Sequence, residues 1–291
     1  MVDRQVHYRH YDQRELDSQY NNRRRFPDYD DHFGRWREWS AQTRRDLPGL
    51  LDKAYGKGPS ETLDIFPADR ADAPIHLFIH GGYWQSLDKA DFSYVARGMV
   101  EHGVTSVVMN YGLAPDFGMD EIVRQTRAAI AWIWRNAESF GGDPKRLYVS
   151  GHSAGGHLAA MLLATDWPTA FSGLPADPVK GICAISGIYD LEPIRLCYVN
   201  DVLGMDEEAA ERNSPTNLSY PVAAPLLIVV GALESDEYRR QTQAMADRWE
   251  GLGHPLTTII APGLDHFSII DQLFDPSSEL VKEQIRHMEK M

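Results

Sequence analysis

The chain has 291 residues, 43% of them hydrophobic, and a formal net charge of −13. That length accommodates one large α/β domain or two small ones with a sizeable core, and the acidic balance argues against a nucleic-acid partner, because phosphate binding needs a basic surface. Two cysteines, Cys183 and Cys197, are too few for a disulfide framework, no run approaches the ~20 apolar residues of a membrane span, and the first residues carry no apolar core of the signal-peptide kind. A soluble cytoplasmic protein with free thiols and no membrane partner is therefore expected.

Residues 1–50 are polar and charged, with Leu16, Tyr20, Phe26, Phe33, Trp36, Trp39 and Leu47 spaced through them. Phe33, Trp36 and Trp39 stand three apart, which puts them on one helical face. This segment reads as an arm of the same domain as residues 51–291, and two uses are open to it: covering the mouth of a site, or meeting a second subunit in a homo-oligomer. Its one basic run, Arg23-Arg24-Arg25, is closely followed by Asp28, Asp30 and Asp31, and reads as a solvated face with local ion pairs.

A strand-and-helix alternation begins near residue 61. Thr62–Phe66 alternates polar and apolar residues as a half-buried strand does; Ile75–Ile79, Thr105–Met109, Leu147–Ser150, Gly181–Ile185, Leu226–Val230 and Thr257–Ile260 are further short apolar strands. Helices are predicted over Asp88–His102, Glu121–Ala137, Gly156–Ala164, Asp236–Gly251 and Ser277–Met291, with Gly141-Gly142-Asp143-Pro144 as a stop signal. This alternation, without repeats or linkers, indicates one α/β domain whose mostly parallel sheet is covered by helices on both faces.

Gly151-His152-Ser153-Ala154-Gly155 joins an apolar strand to an Ala/Leu/Met-rich helix, the context of a nucleophile elbow with Ser153 at the tip of a strained turn. A serine needs a base, and the base an acceptor that fixes its tautomer. In this architecture the partners follow in the order serine, acid, histidine at the carboxyl ends of late strands. His266, after the last strand, fits as the base. For the acid, Glu234 lies nearest the end of the penultimate strand and is favoured over Asp236, which also reads as a helix N-cap; Asp190 and Asp265 are outsiders. Oxyanion donors are expected from the Ala154 amide and from Gly82 and Tyr83 in His80-Gly81-Gly82-Tyr83-Trp84, where two glycines permit unusual backbone angles. His76 and His80, four apart on a strand, would stand ~13 Å apart, too far for one ion. No metal and no cofactor are expected.

His80–Trp84, Gly151–Leu158, Ser186-Gly187-Ile188-Tyr189-Asp190-Leu191 and Gly231–Gln241 together resemble the kynurenine formamidase (arylformamidase) branch of the α/β-hydrolases, from about residue 10 to the end and including Gln19-Tyr20-Asn21. The resemblance implies an α/β-hydrolase fold, a triad of Ser153, Glu234 and His266, and hydrolysis of the small molecule N-formyl-kynurenine in tryptophan catabolism. Animal members have Asp where Glu234 stands. Tyr83, Trp84, Tyr189 and Phe267 are candidates to flank an aromatic leaving group, each reading equally as core; no basic residue is singled out for the substrate carboxylate. A short-chain carboxylesterase or other amide or carbamate hydrolase would share every catalytic residue, and a non-catalytic binding protein on the same scaffold is the remaining alternative.

Overall fold

The computed structural model describes residues 6–290. Eight strands form one sheet: β1 (Leu50–Ala54), β2 (Thr62–Phe66), β3 (Ala73–Ile79), β4 (Thr105–Met109), β5 (Gly142–His152), β6 (Gly181–Ile185), β7 (Leu226–Gly231) and β8 (Leu256–Ala261). Their order across the sheet is β1-β2-β4-β3-β5-β6-β7-β8. β2 is antiparallel to both neighbours, and every pairing from β4 onward is parallel.

Side-chain alternation along the central strands feeds two hydrophobic cores, one on each face. Ile75, Leu77, Ile79, Val149, Ile182, Ile228 and Val230 enter the first, with α1 (Gln13–Tyr20), α5 (Met119–Asn136), α6 (Ala154–Leu163) and α11 (Asp236–Gly251). Phe78, Val108, Tyr148, Cys183, Leu227 and Val229 enter the second, with α3 (Tyr29–Asp46), α4 (Val95–Val100), α12 (Ser268–Asp271) and α13 (Glu279–Glu289). The expected mostly parallel sheet with helices on both faces is what the chain builds. Both cysteines are buried and unpaired, and no helix among the described residues is long and apolar enough to cross a membrane.

The arm divides between the two layers. Asp12 and Glu15 form a reciprocal capping box that starts α1, and Leu16 and Tyr20, one turn apart, are buried in the first core. α3 buries Phe33 and Trp36 in the second and is tied down where Trp36 Nε1 donates to Asp271 Oδ1 at 2.6 Å. The short helix α2 (Asn22–Arg25) therefore lies in the connection that crosses from one face of the sheet to the other.

Two expectations need correction. The helix predicted over 88–102 is a 3-10 turn at Lys89–Phe92 followed by α4. Positions two apart cannot share a face of one helix, yet Phe92 and Tyr94 both pack on Trp36, at 5.5 and 6.4 Å, and Lys89 is drawn inward to Asp64 at 2.7 Å; a break satisfies all three. β5 starts at Gly142, inside the predicted stop, because Gly141 alone takes the left-handed conformation (φ 78°). β1 gave no signal because all five of its residues are exposed. Four short helices, α7 (Trp167–Ala170), α8 (Glu192–Arg195), α9 (Asn200–Leu203) and α10 (Glu207–Arg212), lie between β5 and β7 with no expectation attached to them.

Five buried histidines, His76, His80, His152, His157 and His287, are held below the ordinary histidine pKa chiefly by burial, His76 and His157 at about 4. Their folded state prefers the neutral ring, whereas the unfolded chain takes up protons near pH 6.5, so stability is complete above that pH and is lost as pH falls toward 4. At pH 5, His76 and His157 each remove about 2 kcal/mol. The melting temperature is expected to be flat above pH 7 and lower by roughly 8 °C or more at pH 5; thermal melts across pH 5–8 check this, and a flat profile contradicts it.

Candidate active site

β5 delivers Ser153 into a turn that only its neighbours' small size permits. Ser153 has φ 56° and ψ −117°, between the last residue of β5 and the first of α6, an L-residue conformation maintained only when surrounding structure enforces it. A Cβ on Gly151 would sit 2.1 Å from Gly155 O, and one on Gly155 would sit 2.0 Å from Ile79 O. Both glycines are thus required for β5, α6 and β3 to converge. The bond from Ser153 N–H to Ile185 O, 2.9 Å, fixes the turn against β6.

The loop after β3 lies against the serine: a Cβ on Gly81 would be 3.1 Å from Ser153 Cβ. Gly82 (φ 107°), Tyr83 (φ 51°) and Trp84 (φ 57°) all take left-handed conformations. Among the described residues, the Gly82 and Tyr83 amides have no acceptor, and the Ala154 amide opens α6, where the helix dipole favours negative charge. An oxygen bearing developing negative charge would find donors here.

His266 and Glu234 meet beside this turn. His266 Nδ1 lies 2.7 Å from Glu234 Oε2, with both residues buried. Glu234 Oε1 accepts from the Gly231 amide at 2.7 Å and from Ser186 Oγ at 2.6 Å. Its carboxylate is thereby held with one oxygen left for the imidazole. Asp236 is on the surface, paired with Arg239, and Ser235, not Asp236, caps α11. Asp190 pairs with Arg240, and Asp265 caps its own turn through the Phe267 and Ser268 amides.

Two contacts absent from the sequence reading fix the histidine. His152 is fully buried, and burial together with the neighbouring His266 ring holds its pKa well below the ordinary value, so the ring is neutral. Its Nε2 lies 2.8 Å from His266 O, which makes that nitrogen the donor. The Tyr238 ring packs 4.6 Å from the His266 ring. The Tyr238 hydroxyl lies 2.8 Å from the Tyr83 hydroxyl and accepts from Asn22 Nδ2 at 3.1 Å, and the Tyr83 hydroxyl donates to Tyr20 O at 2.6 Å. The arm is therefore hydrogen-bonded into the loop after β3.

Ser153 and His266 open on one cavity of about 370 Å³, shared with Gly82, Tyr83 and Phe267, a size suited to a small ligand. Arm residues Asn21, Asn22, Arg23, Phe33 and Trp36 form another part of its wall. The arm therefore contributes directly to the site's wall. Trp84 and Tyr189 do not line this cavity. Both are fully buried in the first core, the Trp84 ring turned edge-on to His157 at 5.0 Å, and neither flanks a ligand held there. Ser186, His152 and Tyr238 lie within the motifs that carry the resemblance, but no role was assigned to them or to Arg23: their places depend on strand ends and on an arm brought together only by folding. Among the described residues no group of three or more His, Cys, Asp or Glu gathers at metal-binding distance.

Residues 63–246 match the family model described as BD-FAE. The chain is 36% identical over 267 residues to kynurenine formamidase of Salmo salar, covering 89% of this chain and 88% of that one, and 35% identical to kynurenine formamidase of Danio rerio, covering 86% of each. Among solved structures it resembles a proposed thioesterase from Silicibacter sp., with a TM-score of 0.82, 29% identity, and coverage of 92% of this chain and 98% of that one. Esterase B of Lactobacillus rhamnosis superposes with a TM-score of 0.72 at 19% identity, over 91% and 96% of the two chains, a likeness of fold.

Proposed function

The chain belongs to the kynurenine formamidase family of α/β-hydrolases, and from that premise we propose that it hydrolyses N-formyl-kynurenine to kynurenine and formate, as a cytoplasmic enzyme of tryptophan catabolism. It is a hydrolase of the α/β-hydrolase fold acting on a small molecule; the substrate and the residue roles are our reading.

Ser153 Oγ attacks the formyl carbon while His266 removes its proton, and Glu234 supports the resulting imidazolium. The carbonyl oxygen becomes an oxyanion held by the Gly82, Tyr83 and Ala154 amides. As the C–N bond breaks, His266 returns its proton to the departing aniline nitrogen, leaving a formyl-serine. Water, deprotonated by His266, then attacks this ester and releases formate, restoring Ser153. Phe33, Trp36 and Phe267 offer an aromatic wall to the aryl group.

The observation that carries this reading is His266, backed by buried Glu234, opening with Ser153 on a cavity walled by aromatic rings. A short-chain carboxylesterase remains the second reading, favoured by relatives such as an isoprenylcysteine alpha-carbonyl methylesterase of Arabidopsis thaliana, 25% identical over 81% of this chain. Initial rates on N-formyl-kynurenine, p-nitrophenyl acetate and p-nitrophenyl butyrate separate the two. The formamide is expected to lead in kcat/KM by more than ~100-fold, about 2.7 kcal/mol of transition-state discrimination. Faster esters would leave the mechanism standing and replace the substrate.

A further inference from the structure

We propose that Arg23 receives a carboxylate on the leaving-group side of the substrate, so that the arm selects aryl substrates that bear a carboxylate over those that lack one. The substrate's identity rests on the formamidase reading; the cation in the cavity does not.

The chain carries a net charge of −13, a background that disfavours anions, yet no aspartate or glutamate lines the cavity and Arg23 supplies its one permanent charge. The sequence suggested that the run at 23–25 was neutralised by Asp28, Asp30 and Asp31. At Arg23 that does not happen: among the described residues no carboxylate pairs with it, while Asp28 lies 3.9 Å from His32. Its guanidinium instead rests over the Tyr29 and Phe33 rings, at 5.5 and 5.6 Å from their centroids. A guanidinium held against two rings with no carboxylate on it keeps its N–H donors for a planar, bidentate acceptor.

Position relative to the serine fits a substrate of defined shape. Ring contacts run from His266 to Phe267 at 5.5 Å, from Phe267 to Phe33 at 5.8 Å, and from Phe33 to Arg23. With a scissile carbonyl at Ser153 and the aryl ring along Phe267, a carboxylate on a flexible side chain of that ring can reach for Arg23 across the cavity that all three residues line. Kynurenine carries its amino-acid carboxylate on such a chain, ortho to the aniline nitrogen. A neutral formanilide leaves Arg23 unused.

Two measurements test this on the full chain: calorimetric titration of kynurenine, and kcat/KM on N-formyl-kynurenine and on formanilide. Relative to the unsubstituted protein, Arg23→Gln is expected to weaken kynurenine binding about tenfold and to lower the N-formyl-kynurenine to formanilide ratio about tenfold, mainly through KM. Arg23→Lys, which keeps charge but loses the fork, recovers part of both. An arm merely loosened by the substitution would affect both formamides alike, so an unchanged ratio with unchanged kynurenine affinity overturns the proposal even if the formamidase reading holds. Failure of the unsubstituted protein to bind kynurenine overturns it too. Arg23-dependent kynurenine binding without formamide turnover supports the carboxylate site and sinks the formamidase reading instead.

Discussion

Substitution of Ser153 by alanine is expected to lower kcat/KM on the preferred substrate by ~10⁴-fold or more while the chain stays folded. Removing Oγ removes the atom proposed to bond the acyl carbon; what remains is the cavity and the unpaired amides of the loop after β3, which can assist attack by water only weakly. The structural effect is small because alanine retains the Cβ and makes the same demand on the turn: Ser153 sits at φ 56°, and the strain of that conformation belongs to the Cβ, not the hydroxyl. Melting temperatures within about 2 °C of each other, alongside the loss of turnover, would place the effect in chemistry. Retained turnover would remove Ser153 from the mechanism. A variant that still binds kynurenine but cannot turn over the formamide also separates an enzyme from a binding protein on a hydrolase scaffold.

The central sheet was readable because each inner strand is buried on both faces. Thr105–Met109 and Gly181–Ile185 stand where the apolar runs put them, and β3 and β7 differ from expectation by at most two residues at an end; Thr62–Phe66, read from its alternation as half-buried, is buried on both faces. Burial on both faces leaves an apolar run bounded by polar residues, which sequence shows directly. Where burial is lacking, so is the signal: β1 is an exposed edge strand. Where several demands compete, periodicity misleads, as at Lys89, Phe92 and Tyr94, whose separate partners break the helix that their spacing suggests.

Chain order sufficed to nominate Ser153, Glu234 and His266, because this sheet order brings the carboxyl ends of β5, β7 and β8 together. The residues that hold them were not legible. Ser186 reaches Glu234 from the end of β6, and His152 reaches the His266 carbonyl across 114 positions of sequence; neither spacing nor composition marks such contacts. The aromatic candidates show the limit most clearly: Phe267 lines the cavity while Trp84 and Tyr189 are core, a distinction set by which way the turn after β3 and the segment after β6 direct their rings. Arg23 reads as a solvated residue from its acidic sequence neighbours and is indeed exposed, but only the crossing of the arm from one face of the sheet to the other puts it at the cavity.

Glu234→Gln is expected to reduce kcat by about 10³- to 10⁴-fold with little change in KM, whereas Asp236→Asn changes neither. Two bonds to Glu234 Oε1, from the Gly231 amide and Ser186 Oγ, are both donated to it. In a glutamine these donors select the carbonyl oxygen for that side and turn the NH₂ toward His266 Nδ1. Facing a donor, the imidazole must accept at Nδ1 and carry its proton on Nε2. That tautomer cannot take a proton from Ser153, and a neutral amide gives no support to an imidazolium. The geometry survives and the protonation state fails, so the loss falls on kcat. Ser186→Ala, which removes one of the two donors but leaves the charge, should cost far less, about tenfold. A full loss with Asp236→Asn and none with Glu234→Gln would show that the wrong carboxylate had been placed behind the histidine. A loss confined to KM would instead make Glu234 a binding group, and the support of His266 would have to come from elsewhere.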